Sequence, residues 1–169
     1  MEADAAEAAR WVRAAAYQHY GEGMHRLGMC YEYGDGVEQS WEHAVRWFRE
    51  AAHEGVAAAM TDLGYCYEKG YGVAQNWDEA FSWYEKGAAR GNTVAMCNLG
   101  YCYESGSGTA QNWEQALSWY RCAAELGDTR AMGSLAWCYD NGKGVEKDSA
   151  EAARWYLRGA RAGDRRCMF

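Results

Sequence analysis

The sequence predicts an all-α protein, a solenoid of stacked helix pairs. Three observations carry that prediction. Landmark residues return every 36 positions, each period holds two helix-length amphipathic segments, and glycine pairs punctuate a chain of 169 residues that has 20 Gly and no Pro. A fixed period between about 20 and 50 residues marks supersecondary units that cover one another's apolar faces by stacking.

The period is visible in the letters. Leu63–Gly91 and Leu99–Gly127 align without a gap over 29 residues, 18 of them identical. Leu27, Leu63, Leu99 and Leu135 share the step. So do Cys30, Cys66, Cys102 and Cys138, then Tyr31, Tyr67, Tyr103 and Tyr139, and Trp47, Trp83, Trp119 and Trp155.

The elements follow in order. Residues 4–17 match a second helix, since Ala8 and Trp11 stand one period before Ala44 and Trp47. In each full unit a first helix runs over the equivalent of Ala59–Lys69, with Ala59, Leu63, Gly64 and Tyr67 on one face. Gly70 and Gly72 stop it, because glycine adopts the left-handed cap conformation at little cost. The second helix starts after Asn76, whose counterparts Ser40, Asn112 and Asp148 are all good N-caps. Glu79, Gln115 and Glu151, three residues on, predict a capping box in three of the four units. Ala80, Trp83, Tyr84 and Ala88 form its buried stripe and Gly91 ends it. Cys167 and Met168 align with Ala131 and Met132, so residues 166–169 read as the start of a further helix, giving about nine in all.

Residues 59–73 and 80–91 carry "A-x-x-x-L-G-x-x-Y-x-x-G-x-G-V" and "A-x-x-W-Y-x-x-A-A-x-x-G" almost intact. This unit resembles the Sel1-like repeat, a relative of the tetratricopeptide repeat. The resemblance covers nearly the whole chain: a half repeat at 4–21, then repeats at 22–57, 58–93, 94–129 and 130–165. Departures are Gly23 for the Ala, Ala136 for the Gly, Thr109 for the Val and Phe48 for the Tyr. It implies a single domain, an α/α right-handed superhelical solenoid whose first helices line a concave face. It also implies a non-enzymatic interaction module, with adaptors and regulators in signalling and bacterial host interaction among its members.

Composition narrows the function. The chain is 49% hydrophobic and carries a formal charge of -7. An acidic surface repels phosphate backbones, so nucleic acid is not an expected partner. No apolar run reaches the ~18 residues of a membrane span. The first residues lack the basic and apolar regions of a signal peptide. The seven cysteines are odd in number, and Cys97, Cys122 and Cys167 have no near partner. Some secreted Sel1-like proteins staple each repeat with a cysteine pair. Here the regular column would sit on stacked helices ~8–10 Å apart, beyond the ~7 Å Cα separation a disulfide tolerates. A ladder of thiols in a reducing compartment, the cytoplasm, is expected. His19, His25, His43 and His53 stand at no metal-ligand spacing, and no nucleophile elbow, phosphate loop or dinucleotide fingerprint occurs. No catalytic residue, cofactor or metal is expected.

The resemblance directs the residue after each Leu-Gly pair into the groove: Met29, Tyr65, Tyr101 and Trp137. One turn on stands an acidic column, Glu32, Glu68, Glu104 and Asp140, and beside it Tyr33, Lys69, Ser105 and Asn141. One turn back come His25, Thr61, Cys97 and Gly133. The aromatic column serves either as anchors or as packing between units. The acidic column is either a solvated face or a selector of basic partners. The expected function is docking of a protein or peptide that is basic or exposes apolar groups. The alternatives are homo-oligomerisation through uncapped ends, led by Trp11 and "RRCMF", and binding of a small molecule or cell-wall fragment.

Overall fold

The computed structural model describes Ala14 and residues 20–163. The expected helix over residues 4–17 falls outside those residues except at Ala14, which is helical, and the further helix at 166–169 falls outside them altogether. Among the described residues there are eight α-helices and no strand. They are α1 (Gly21–Tyr33), α2 (Trp41–His53), α3 (Ala57–Lys69), α4 (Trp77–Ala89), α5 (Thr93–Ser105), α6 (Trp113–Glu125), α7 (Thr129–Asn141) and α8 (Ser149–Arg161). The chain divides into two compact units at Arg90/Gly91. In the first, α1 packs on α2, α2 on α3 and α3 on α4; in the second, α5 to α8 repeat the scheme.

The first helices begin two residues earlier than the sequence predicts, at Ala57 and its equivalents. Asn92 and Asp128 hold this extra half-turn by accepting from the amides of Ala95 and Ala131 at 2.9 Å. At the other end, Gly70 takes the left-handed conformation at φ 74° and donates to the Cys66 carbonyl. Gly34, Gly106 and Gly142 do the same at whole periods from it.

Every second helix starts where its N-cap predicts. The Asn76 side chain accepts from Asp78 and Glu79, and Asn112 and Asp148 repeat the arrangement. The expected capping box is only half formed. The N-cap amide that Glu79 or Gln115 would engage donates instead to a tyrosine carbonyl of the preceding helix: Ser40 to Tyr31, Asn76 to Tyr67, Asn112 to Tyr103 and Asp148 to Tyr139, at 2.8–2.9 Å. The loop is stitched a second time by Gln39, Gln75 and Gln111, whose amides donate to the carbonyls of Glu32, Glu68 and Glu104. Arg154 takes Glu151 at 2.9 Å.

Burial follows the repeat. Leu27, Leu63, Leu99 and Leu135 are fully buried, as are Cys66, Cys102 and Cys138. Within a repeat the two helices meet across a glycine. A Cβ on Gly64 would stand 2.7 Å from the Tyr84 ring, one on Gly100 2.6 Å from Tyr120, and one on Gly28 2.6 Å from Phe48. The fourth repeat has Ala136 at this position, and there the ring opposite, Tyr156, is only half-buried. Between repeats of one unit, Gly72 lies against the Trp41 backbone and Gly144 against that of Trp113. Arg49 donates to the Tyr67 hydroxyl at 3.2 Å, and Arg121 to that of Tyr139 at 2.7 Å.

Candidate functional site

The residue after each Leu-Gly pair, or after Leu135-Ala136 in the fourth repeat, stands off the core. Met29 is 38% exposed, Tyr65 39%, Tyr101 48% and Trp137 40%. These are large apolar groups left open on helices whose opposite face is closed.

In the first unit Tyr65 does not stand alone. Tyr71, at the turn after α3, meets it edge-on at 5.9 Å and stacks at 4.5 Å on Trp41, the first residue of α2. Lys69 Nζ lies 5.6 Å from the Tyr65 ring and pairs with Glu68 at 2.7 Å. In the second unit Trp137 lies 5.9 Å from Trp113, the first residue of α6, and Lys143 Nζ is 5.4 Å above Trp113. In each unit an open aromatic of a first helix is therefore continued by a tryptophan from the repeat before. Sequence reasoning missed Trp41 and Trp113. The signal was present, for Trp41, Trp77 and Trp113 recur at the same step until Ser149 breaks it.

The acidic column is less open than a solvated face. Glu68 accepts the Tyr84 hydroxyl at 2.7 Å and Glu104 that of Tyr120 at 2.5 Å. Both tyrosines are buried, and the Glu68 side chain is 13% exposed. Asp140 accepts from Ser149 at 3.1 Å. In the first repeat Phe48 replaces the tyrosine and supplies no hydroxyl. Burial raises the Glu32 carboxyl above its ordinary value, a Tyr33 hydrogen bond opposes that, and the charge of nearby Asp62 adds to it. The Tyr33 hydroxyl is raised in turn, chiefly by the Glu32 charge.

The neighbouring columns divide. Tyr33, Lys69, Ser105 and Asn141 are exposed. Ser105 and Asn141 bond back to the carbonyls of Tyr101 and Trp137 at 2.9 Å. Thr61 and Cys97, one turn before the anchors, are buried and line no surface. Thr61 donates to the Ala57 carbonyl. His25 bonds Asp62 across α1 and α3 at 2.7 Å.

None of the six described cysteines is in a disulfide. Burial pushes the Cys66 and Cys138 thiols up to about 12, which leaves them protonated at neutral pH and the reverse of an activated nucleophile. Among the described residues no group of three or more His, Cys, Asp and Glu could hold a metal ion, and no helix is long and apolar enough to cross a membrane.

Stacked helix pairs with open aromatic residues on the first helices define the class as a tandem α/α repeat protein. The Sel1 repeat model matches residues 21–56, 57–92, 93–128 and 129–164, so the chain belongs to the Sel1 repeat family. It is similar to a Sel1 repeat protein from Oxalobacter formigenes, 33% identical with a TM-score of 0.92 over 96% of this chain. It is also similar to a protective antigen of uropathogenic Escherichia coli displaying an SLR fold, 32% identical with a TM-score of 0.90 over 97% of this chain. The chain spans 65% of the first of those proteins and 35% of the second. Helicobacter pylori cysteine rich protein B shares the fold at 20% identity and a TM-score of 0.59, over 73% of this chain and 94% of that one. No curated protein matches the sequence. Sel1 repeat proteins are in general protein–protein interaction modules.

Proposed function

We propose that this chain is an adaptor that docks a peptide or partner protein on the open faces of its first helices. The observation that carries the reading is the aromatic column, near 40% exposed at Tyr65 and Trp137 and widened in each unit by Trp41 or Trp113. Open aromatics next to rigid packed elements are the usual anchors of protein interfaces. The net charge of -7 favours encounter with a basic partner. The acidic column adds less to that selection than the sequence suggests, because Glu68 and Glu104 each have an oxygen engaged internally. The chain acts by binding, not by catalysis, and works in a reducing, cytoplasmic setting, a reading supported by its odd count of seven cysteines.

The test is affinity capture with wild type against a Tyr65→Ala, Tyr101→Ala, Trp137→Ala variant, read by quantitative mass spectrometry, with circular dichroism melts alongside. Loss of a specific partner from a variant that melts like wild type is the expected result. Unchanged capture, or collapse of the variant fold, would assign the column to packing.

A further inference from the structure

The fourth repeat differs from its siblings on one side of α7. Arg130 stands where the earlier repeats have Glu22, Ala58 and Val94, and Gly133 stands where they have His25, Thr61 and Cys97. With no side chain at Gly133, a cleft of about 390 Å³ is bounded by Glu104, Arg130, Gly133, Ser134, Trp137 and Tyr156.

The charges in this cleft are unevenly engaged. Glu104 already accepts the Tyr120 hydroxyl. Asp128 caps α7 through one oxygen and holds the other 3.9 Å from Arg130 Nη2, beyond hydrogen-bond distance. That nitrogen is buried and has no hydrogen-bond partner, while the side chain as a whole is 41% exposed. With that nitrogen closed off, the remainder of the guanidinium is what a group in the cleft can meet. Lys143 rides over Trp113, the ring 5.9 Å from Trp137. Trp137, the most exposed tryptophan of the second unit, thus shares a cleft with one cation, Arg130.

We propose that this cleft is an anchor subsite for an acidic side chain of the docked segment. The carboxylate meets the Arg130 guanidinium, with Ser134 on the same wall, and an adjoining apolar residue of the segment lies on Trp137. A carboxylate answers the part of the guanidinium that stays open to the cleft with a charge-assisted hydrogen bond. The inference rests on the docking reading above and refines it. A partner drawn in by the overall negative charge carries, at this point, a residue of the opposite sign from the one the acidic column suggests.

The experiment is selection from a phage-displayed library of random dodecapeptides on the full chain, run in parallel on wild type, Arg130→Gln, Arg130→Glu and Trp137→Ala. Wild type is expected to enrich Asp or Glu next to an aromatic or aliphatic residue. Arg130→Gln should lose the acidic preference and Arg130→Glu should exchange it for Lys or Arg. In a selected peptide, Glu→Gln should weaken binding to wild type by about tenfold or more and binding to Arg130→Gln little, the span expected for a hydrogen bond between charged groups. Peptides without acidic bias, or a bias that survives Arg130→Gln, overturn the subsite. If Trp137→Ala still abolishes selection in that case, the docking reading stands alone. If Trp137→Ala selects the same peptides as wild type, or wild type enriches none, the docking reading falls as well. Arg130→Glu keeps the test decisive should the glutamine variant melt early, because an inverted preference cannot arise from unfolding.

Discussion

Gly72 and Gly91 have similar backbones and different surroundings, and the contrast gives a sharp measurement. Both lie at positive φ, 66° and 84°. An alanine at either position has to enter the left-handed region, at about 1–2 kcal/mol. At Gly91 nothing lies within 4 Å of the new Cβ, so that is the whole expected loss. At Gly72 the Cβ would fall on the Trp41 carbonyl, 2.5 Å from its carbon and 2.8 Å from the Glu42 nitrogen. Those atoms are backbone and cannot rotate away. The turn must lift from α2, which loosens the Trp41–Tyr71 stack and adds an overpacking loss of about 1–3 kcal/mol. Gly72→Ala should therefore lose about 2–5 kcal/mol and Gly91→Ala about 1–2 kcal/mol. Urea titration followed by far-ultraviolet circular dichroism measures both. Losses that agree within about 0.5 kcal/mol would refute the claim that one repeat rests on the backbone of the one before.

Three further outcomes are expected. Glu104→Lys should destabilise the fold by about 1–3 kcal/mol, because it strips the acceptor from the buried Tyr120 hydroxyl; adding Tyr120→Phe should recover part of the loss, and failure of that double variant to recover any would show that the hydrogen bond is not the cause. Since burial raises the Glu32 carboxyl, the folded chain binds that proton more tightly than the unfolded one. Its contribution is then fully present below the ordinary value of 4.5 and is lost as pH rises through the folded value, so Glu32→Gln should gain urea stability relative to wild type on going from acid to neutral pH, and parallel pH profiles would refute this. Iodoacetamide at neutral pH should label exposed Cys122 first, and Cys66 and Cys138 only on unfolding, as peptide mass mapping will show; early labelling of Cys66 would contradict its burial.

Local signals reached as far as local physics does. Gly70 announces a helix end through its backbone freedom, Asn76 a helix start through its side chain and Leu63 the core face through its spacing, and the structure places all three as expected. The second partner of Asn76 was illegible, because its amide turns to the Tyr67 carbonyl nine residues back, a contact that exists only once the two helices have packed. The engagement of Glu68 and Glu104 has the same origin, each taken by a tyrosine of the next helix. The open column at Met29, Tyr65, Tyr101 and Trp137 could be read because period and resemblance together fix the face. Its widening by Trp41 and Trp113 also lay in the period, in the column that follows each N-cap. Arg130 is the harder case. It occurs once, so repetition says nothing of it, and its unmet nitrogen shows only when its neighbours have been placed.

The contact of Gly72 with a carbonyl has a consequence for how such a chain changes over generations. A socket made of main chain is supplied by every repeat regardless of its side chains. A gene that gains or loses a whole period re-forms the same joint at the new junction, whereas an insertion of any other length breaks it. Length would then vary in steps of one repeat, and each duplicated copy would arrive with its own outward position, equivalent to Tyr65 or Trp137, seated beside the joint it comes with.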